Sequence, residues 1–216
     1  MGDAGRRTAN RAEDETEQML MTLHSYVIEH DMGFAPNPFH RRCSLAACKP
    51  LIRASATLGD YVMGTGTAHN DMRQHLIYWM HIDEIVDFDA YWNDPRFRRK
   101  RPVMHGSMAQ RHGDNIYHSL PGGGFFQADS FHSQDDGQPD PANRDRDTGR
   151  TQRVLLARNF TYYGKHARSI PDEFRGFIKK GPGHRNKFTA ANLAYFMEWL
   201  LADPARGYIA EPTDWL

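Results

Sequence analysis

The side chains best suited to chemistry are two cysteines and twelve histidines. Cys48 is followed by Lys49, and a neighbouring cation favours a thiolate. As a nucleophile, Cys43 or Cys48 would need a histidine base, for which His40 and His132 are the candidates. The ordinary role of a free cysteine is that of a small apolar side chain in the core. His30 and Asp31 are adjacent and could serve as base and orienter, or His132 could assist Cys48. Four residues separate Cys43 from Cys48, no second cysteine pair exists, and His-Glu-x-x-His is absent, so a standard zinc site is not indicated. A facial triad drawn from His30, Asp31 and a distant histidine stays open, but no metal ligand is assigned and the cofactor is unknown. Most of the histidines are expected on the surface or bonded within polar loops.

Other clusters suit a nucleotide. Gly64-Thr65-Gly66 and Gly122-Gly123-Gly124 match neither the phosphate loop nor the dinucleotide fingerprint, so both read first as turns. Amides at Gly64, Thr65 and Gly66 could still approach a base or phosphate where no Cβ intervenes. Arg96, Arg98, Arg99, Lys100 and Arg101 follow Tyr91 and Trp92. Aromatics offer stacking surface and arginines offer phosphate partners, the combination that extruded or single-stranded nucleic acid uses. Lys49, Arg53, Arg98, Arg99 and Arg101 are therefore candidate phosphate contacts, against the ordinary reading of solvated charge. In Gly113-Asp114-Asn115-Ile116-Tyr117, Asp114 and Asn115 could read the edge of a base and Tyr117 could stack on it. An Asx-turn at Asp114 explains the same residues.

These groups need a scaffold, and 216 residues suffice for one sizeable domain. Hydrophobic residues make up 39% of the chain, enough for a core, and Lys plus Arg balance Asp plus Glu at 27 each. Zero net charge argues against a wholesale basic coat for nucleic acid, while leaving room for a local basic groove. No apolar run approaches the roughly 18 residues of a membrane span, and the charged N-terminus lacks an apolar leader segment. With no disulfide scaffold possible, a reducing, cytoplasmic location without membrane contact is expected.

Residues 1–20 read as a flexible tail and residues 21–216 as a single domain. Strands are expected over residues 22–29, 43–48, 61–63, 76–85 and 154–160, the fourth being central because it is apolar on both faces. Residues 30–39 form a loop shaped by two prolines and a glycine. Residues 49–56 and 87–92 read as short helices, with Pro50 at the tolerated first turn. Residues 103–134 read as irregular and residues 135–150 as an insertion loop, the acidic run to Asp147 being solvated. The clearest helix runs from Thr189 to Ala202, with Leu193, Phe196, Met197, Leu200 and Leu201 on one face and Thr189 as its cap. Strands that do not alternate with long helices favour an α+β fold.

Taken in order, the motifs carry a resemblance. His30-Asp31-x-Gly33-Phe34-Ala35-Pro36-Asn37-Pro38-Phe39 is followed by Cys43-x-Leu45-Ala46-x-Cys48-Lys49-Pro50-x-Ile52-Arg53. Gly59-Asp60-Tyr61-Val62-x-Gly64-Thr65-Gly66, Leu76-Ile77-Tyr78, and Phe88-x-x-Tyr91-Trp92-x-Asp94-Pro95-Arg96-Phe97 come next. Gly113-Asp114-Asn115-Ile116-Tyr117 and Phe131-His132 complete the series. Over about residues 24 to 170 this resembles the nucleotide modification associated domain 2 family, found in systems that make or handle altered DNA bases. A looser likeness is to PUA-like domains of the EVE and ASCH kinds. That likeness implies a small mixed or antiparallel β-barrel-like sheet with peripheral helices. It also implies that His30, Asp31, Asn37, Gly64, Thr65, Gly66, Asp114, Asn115 and Tyr117 converge on one pocket.

The function expected first is binding of a nucleotide or nucleic acid carrying a modified base, in partnership with other modification-system proteins. The alternative is a transferase or hydrolase acting on nucleotides, with His30, Asp31, Cys48 and His132 as the catalytic set. A protein-interaction subunit using the Leu193 helix face is the third.

Overall fold

In the computed structural model, which describes residues 21–67 and 72–215, strand and helix alternate irregularly along the chain. The expected tail, residues 1–20, lies outside the described residues. The order begins β1 (Leu23–Val27), β2 (Cys43–Leu45), α1 (Pro50–Ser55), β3 (Tyr61–Thr65), β4 (His75–His81), β5 (Glu84–Asp87) and α2 (Phe88–Asn93). After a 3₁₀ segment (Pro95–Lys100) come α3 (Met108–Arg111), β6 (Tyr117–Ser119), β7 (Phe125–Gln127) and α4 (Pro141–Thr148). The chain continues through β8 (Arg153–Ala157), β9 (Asn159–Tyr162), β10 (Arg168–Ser169), β11 (His184–Arg185), α5 (Ala190–Ala202) and β12 (Gly207–Tyr208).

The strands build a seven-stranded mixed sheet in the order β11-β1-β3-β4-β9-β12, with β10 also on β4, and a three-stranded antiparallel sheet β2-β8-β5. A separate hairpin joins β6 to β7. The fold is α+β, as expected, but the sheet is open and the PUA-like barrel is not formed. Its outermost strands, β11 and β12, are two residues long and do not pair with each other. So short an edge offers little backbone with which to close a ring.

Two expected strands each prove to be two. The apolar run 76–85 leaves the large sheet after His81 and re-forms as β5 in the small one. The corner is held by the Ile82 amide on Asp60 O at 2.9 Å and the Asp83 amide on Leu156 O at 3.0 Å. The run 154–160 crosses in the same way from β8 to β9. Alternation then fills both faces of each sheet. Tyr78, Met80, Leu155 and Ala157 meet between the sheets, whereas Trp79 turns towards α5 and Val154 and Leu156 turn towards α2 and the hairpin.

Helix α5 starts at Thr189, whose hydroxyl accepts from the Asn192 amide at 3.4 Å. Its face is filled from within the chain: Phe196, Met197 and Leu200 are buried, and Phe196 stacks on Phe177 at 4.2 Å between ring centroids. The stretch expected as a solvated loop contains α4 instead. Asp140 caps it, accepting from the Ala142 and Asn143 amides at 2.8 and 3.1 Å, with Pro141 in the first turn. Composition hid these local signals.

Gly64 serves packing and not ligand approach. A Cβ there would lie 2.4 Å from Ile28 Cδ1 and 2.6 Å from Tyr78 Cε1, and Gly66 is similarly crowded by Met72. Thr65 is buried, and its hydroxyl lies 3.4 Å from Tyr26 O. Overpacking of this kind costs roughly 1–3 kcal/mol. Gly64→Ala should therefore lower the urea midpoint, while Gly122→Ala, whose Cβ would meet nothing within 4 Å, should leave it in place. Equal midpoints for the two variants would refute the packing role.

Candidate active site

Strand β2 runs into two buried alanines, Ala46 and Ala47, and then turns sharply through Cys48 and Lys49 into α1. Both turn residues lie in the left-handed region, at φ 56° and 44°. A side chain there costs on the order of 1–2 kcal/mol per residue, so the surroundings must hold it. Two groups do so. The Cys48 amide donates to Asp147 Oδ1 at 2.9 Å, and Arg53 Nε donates to Cys48 O at 2.9 Å. Pro50 gives up no hydrogen bond at the first turn of α1.

The result is a row of three side chains. Cys48 Sγ is 3.4 Å from His132 Nε2, and His132 Nδ1 is 2.8 Å from Asp147 Oδ2. Tyr117 donates its hydroxyl to the same carboxylate oxygen at 3.1 Å. The His132 loop is fixed by Gln127 Nε2 and Asn143 Nδ2, which donate to its carbonyl at 2.9 and 3.1 Å. Phe34 meets the imidazole edge-on at 4.5 Å, and Phe131 stands exposed beside it. Arg146 closes the row from the solvent side. Its Nη2 is 3.8 Å from Sγ and 3.2 Å from Nε2, and its Nε is 3.2 Å from Asp147 Oδ1. Cys48 and Arg146 are accessible, whereas His132 and Asp147 are buried.

The charges follow from these contacts. Burial alone would lower His132, but its hydrogen bonds to Asp147 and Cys48, with their charges, outweigh that and raise it to about 9. Burial would likewise raise Asp147, but the bond to His132 and the charges of His132, Arg146 and Arg53 hold it below the ordinary carboxylate range. Tyr117 is pushed up by burial and by the Asp147 charge, so it remains a donor. At neutral pH the row is thus a carboxylate, a doubly protonated imidazole and a sulfur, the arrangement of a nucleophile, its proton carrier and an orienter.

Ligand atoms of Cys48, His132 and Asp147 all lie within 4.8 Å of one another, close enough for a cation. Yet the sulfur faces Nε2 while the carboxylate faces Nδ1. An ion coordinates one ring nitrogen, so it could not replace both contacts without turning the ring. The geometry fits a proton relay better than a metal centre.

Of the residues singled out from the sequence, Cys48 and His132 come together, and Lys49 and Arg53 flank them. The rest stand elsewhere or in other roles. His30 Nδ1 is 3.6 Å from Asp214 and not on Asp31. Asp31 is buried, raised by burial, and accepts from Tyr162 and from the Thr213 amide, so the expected base–orienter pair is not formed. Burial pushes the Cys43 thiol far up, which suits a core residue. Asn37 and Asp114 do meet, but inside a packed polar cluster and not around an open cavity. Asn37 Oδ1 accepts from Lys100 at 2.6 Å, and Ser44 bridges Lys100 at 2.9 Å to Asp114 at 2.6 Å. Asn115 donates to Tyr91 O and Phe97 O. Asp114 accepts from Ser44 and Tyr91, and both Asp114 and Asn115 are buried, so neither offers an edge to a base, and Tyr117 turns to Asp147 instead of stacking. Arg53 is wholly buried and bonds Cys48 O, Arg153 O and Asp147 O, and Lys49 Nζ lies over Tyr26 at 4.7 Å. Neither is free for a phosphate. Arg101 donates to Trp92 O and lies 3.9 Å over its ring, leaving Arg98 and Arg99 exposed.

Asp147 was missed from the sequence because it ends an acidic, apolar-poor run. One signal was present: Asn143 and Asp147 are four apart, one helix face, and both bond His132.

The model of a protein family described as nucleotide modification associated domain 2 matches residues 20–216. No curated protein and no solved structure matches the chain.

The raised imidazole makes stability depend on pH. Because the folded value of about 9 exceeds the ordinary 6.5, the contribution of His132 is fully present below pH 6.5 and lost as pH rises through about 9. The difference in unfolding free energy between wild type and His132→Gln should shrink over that window by roughly 3 kcal/mol. Urea titrations from pH 6 to 10 check this, and a constant difference would contradict the assigned charge.

Proposed function

Because the chain belongs to the nucleotide modification associated domain 2 family, we propose that it is an enzyme of a nucleotide-modification system using Cys48 as a covalent nucleophile. The observation that carries this reading is the row Cys48–His132–Asp147, with an exposed guanidinium at its mouth. In the first step Sγ bonds to a carbonyl-type carbon of the nucleotide. The bond from that carbon to its nitrogen or oxygen leaving group breaks, and the leaving atom takes the Nε2 proton. In the second step water or an amine attacks the thioester carbon, returns a proton to Nε2, and Sγ departs. Water makes the enzyme a hydrolase; an amine makes it a transferase. Asp147 stays ionised and fixes the ring, while Arg146 faces the oxygen on which negative charge develops. Phe131 supplies an exposed ring against which a base can stack.

Recognition of a modified base without turnover is the second reading, favoured by the patch where Trp92, His118 and Phe126 pack together with Arg101 over the Trp92 ring, and by the exposed Arg98 and Arg99 in the segment that leads to Arg101. Reversing Arg98 and Arg99 to Glu should weaken oligonucleotide binding and flatten its salt dependence by about 0.7 per lost phosphate contact. Unaltered affinity across the salt series would remove the phosphate role.

For the enzyme reading, iodoacetamide at pH 7 should alkylate Cys48 and spare buried Cys43. His132→Gln and Asp147→Asn should each slow that alkylation at least tenfold, read by peptide mass. Equal rates in wild type and both variants would sink Cys48 as an activated nucleophile.

A further inference from the structure

A second concave site lies apart from Cys48. It is a hollow of about 390 Å³ whose walls include Phe39, Phe160 and Tyr208 and whose rim carries Arg41, Arg158 and Arg206. No acidic side chain lines it. The three guanidinium groups are differently held. Arg206 donates to Asp203 O and Ala205 O, and Arg158 meets Asp83 through Nε at 3.4 Å. The side chain of Arg41 has no hydrogen bond or ion pair among the described residues, and it is exposed. Tyr208 stacks on Tyr162 yet is 41% exposed, so part of its ring is presented in the same hollow as the cations.

The backbone sets Arg41 there under strain. Among the described residues five that are not glycine have positive φ, and four of them form two consecutive pairs. One pair is Cys48–Lys49 at the nucleophile; the other is His40–Arg41, at 61° and 63°, on the rim of this hollow. Such strain persists where the structure requires a side chain in one place.

The hollow is connected to the catalytic row by rings. Phe39 stacks on Trp215 at 5.6 Å, Trp215 meets His112 at 5.9 Å, and His112 meets Phe131 at 5.5 Å, next to His132. Phe39 and His112 within this chain of rings are buried, but at its two ends Tyr208 and Phe131 stand exposed, with Arg41 lining the one end and Arg146 on His132 at the other. An exposed ring with an arginine at each of two places suits a single strand, since every base has a face to stack and every nucleotide a phosphate to neutralise.

We infer that this hollow seats a nucleotide flanking the one presented to Cys48, so that the substrate is a single-stranded polynucleotide and not a free nucleotide. The inference rests on the reading of Cys48 as the reacting centre, but the hollow is tested by binding alone.

The probe is fluorescein-labelled dodecathymidylate, followed by anisotropy with the full chain between 50 and 300 mM NaCl. Arg41→Glu with Arg158→Glu should weaken binding at least tenfold at 50 mM. The slope of log affinity against log salt should become shallower by about 1.4, two phosphate contacts at roughly 0.7 each. Tyr208→Ala should weaken it about fivefold or more through lost stacking. Cys48 alkylation should keep its wild-type rate in all these variants, which separates failure of the hollow from failure of the nucleophile. No measurable binding by the wild type, or the same affinity in the double Arg variant, would overturn the inference. So would thymidine 5′-monophosphate binding as tightly as the dodecamer and losing the same factor.

Discussion

One buried carboxylate organises the reactive end of this molecule. Asp147 accepts from the Cys48 amide, His132, Tyr117 and Arg146, while its own carbonyl takes Arg53. A lone buried carboxylate would be strongly destabilising, so the donors are not optional decoration. Satisfying it draws four separate parts of the chain together: the turn after β2, Tyr117 at the start of β6, the loop carrying His132, and the end of α4. The same bonds hold Cys48 in its left-handed conformation.

A second buried polar cluster does structural work that could be mistaken for recognition. Lys100, Asn37, Ser44, Tyr91 and Asp114 satisfy one another in a site closed to water. Burial pushes Lys100 down and Asp114 up, and the charge of each opposes that on the other. Polar networks of this kind fix a unique arrangement when every member is partnered. Here the network locks the proline-rich bend 30–39 against the segment 112–115, which positions Phe34 beneath His132. The motifs that suggested a base-reading pocket are therefore the scaffold of the neighbouring site.

Between these clusters lie the two sheets, joined at corners where one apolar run crosses from one to the other. Because both faces of β4 and β8 are covered, neither sheet can shift without exposing core. That rigidity gives the surface turns at Cys48 and Arg41 a base against which strain can be held.

Much was legible in the residues themselves. The helix from Thr189, the first-turn role of Pro50 and the β-rich α+β character follow from local pattern, and Cys48 and His132 stand among the candidates by reactivity alone, whereas their meeting across 84 residues is a tertiary fact. Asp147, the burial of Arg53, and the inward turn of Asp114 and Asn115 depend on partners up to about a hundred residues away, as the Cys48–Asp147 bond shows. Sequence determined which groups could react and, where the apolar periodicity is strong, which segments would become strands or helices, because periodicity and side-chain chemistry are local; α4, α3 and the β6–β7 hairpin lack that periodicity and read as loop. Tertiary structure alone decided which polar groups are enclosed and which face solvent, because desolvation is a property of everything packed around an atom, and no neighbourhood in sequence contains it.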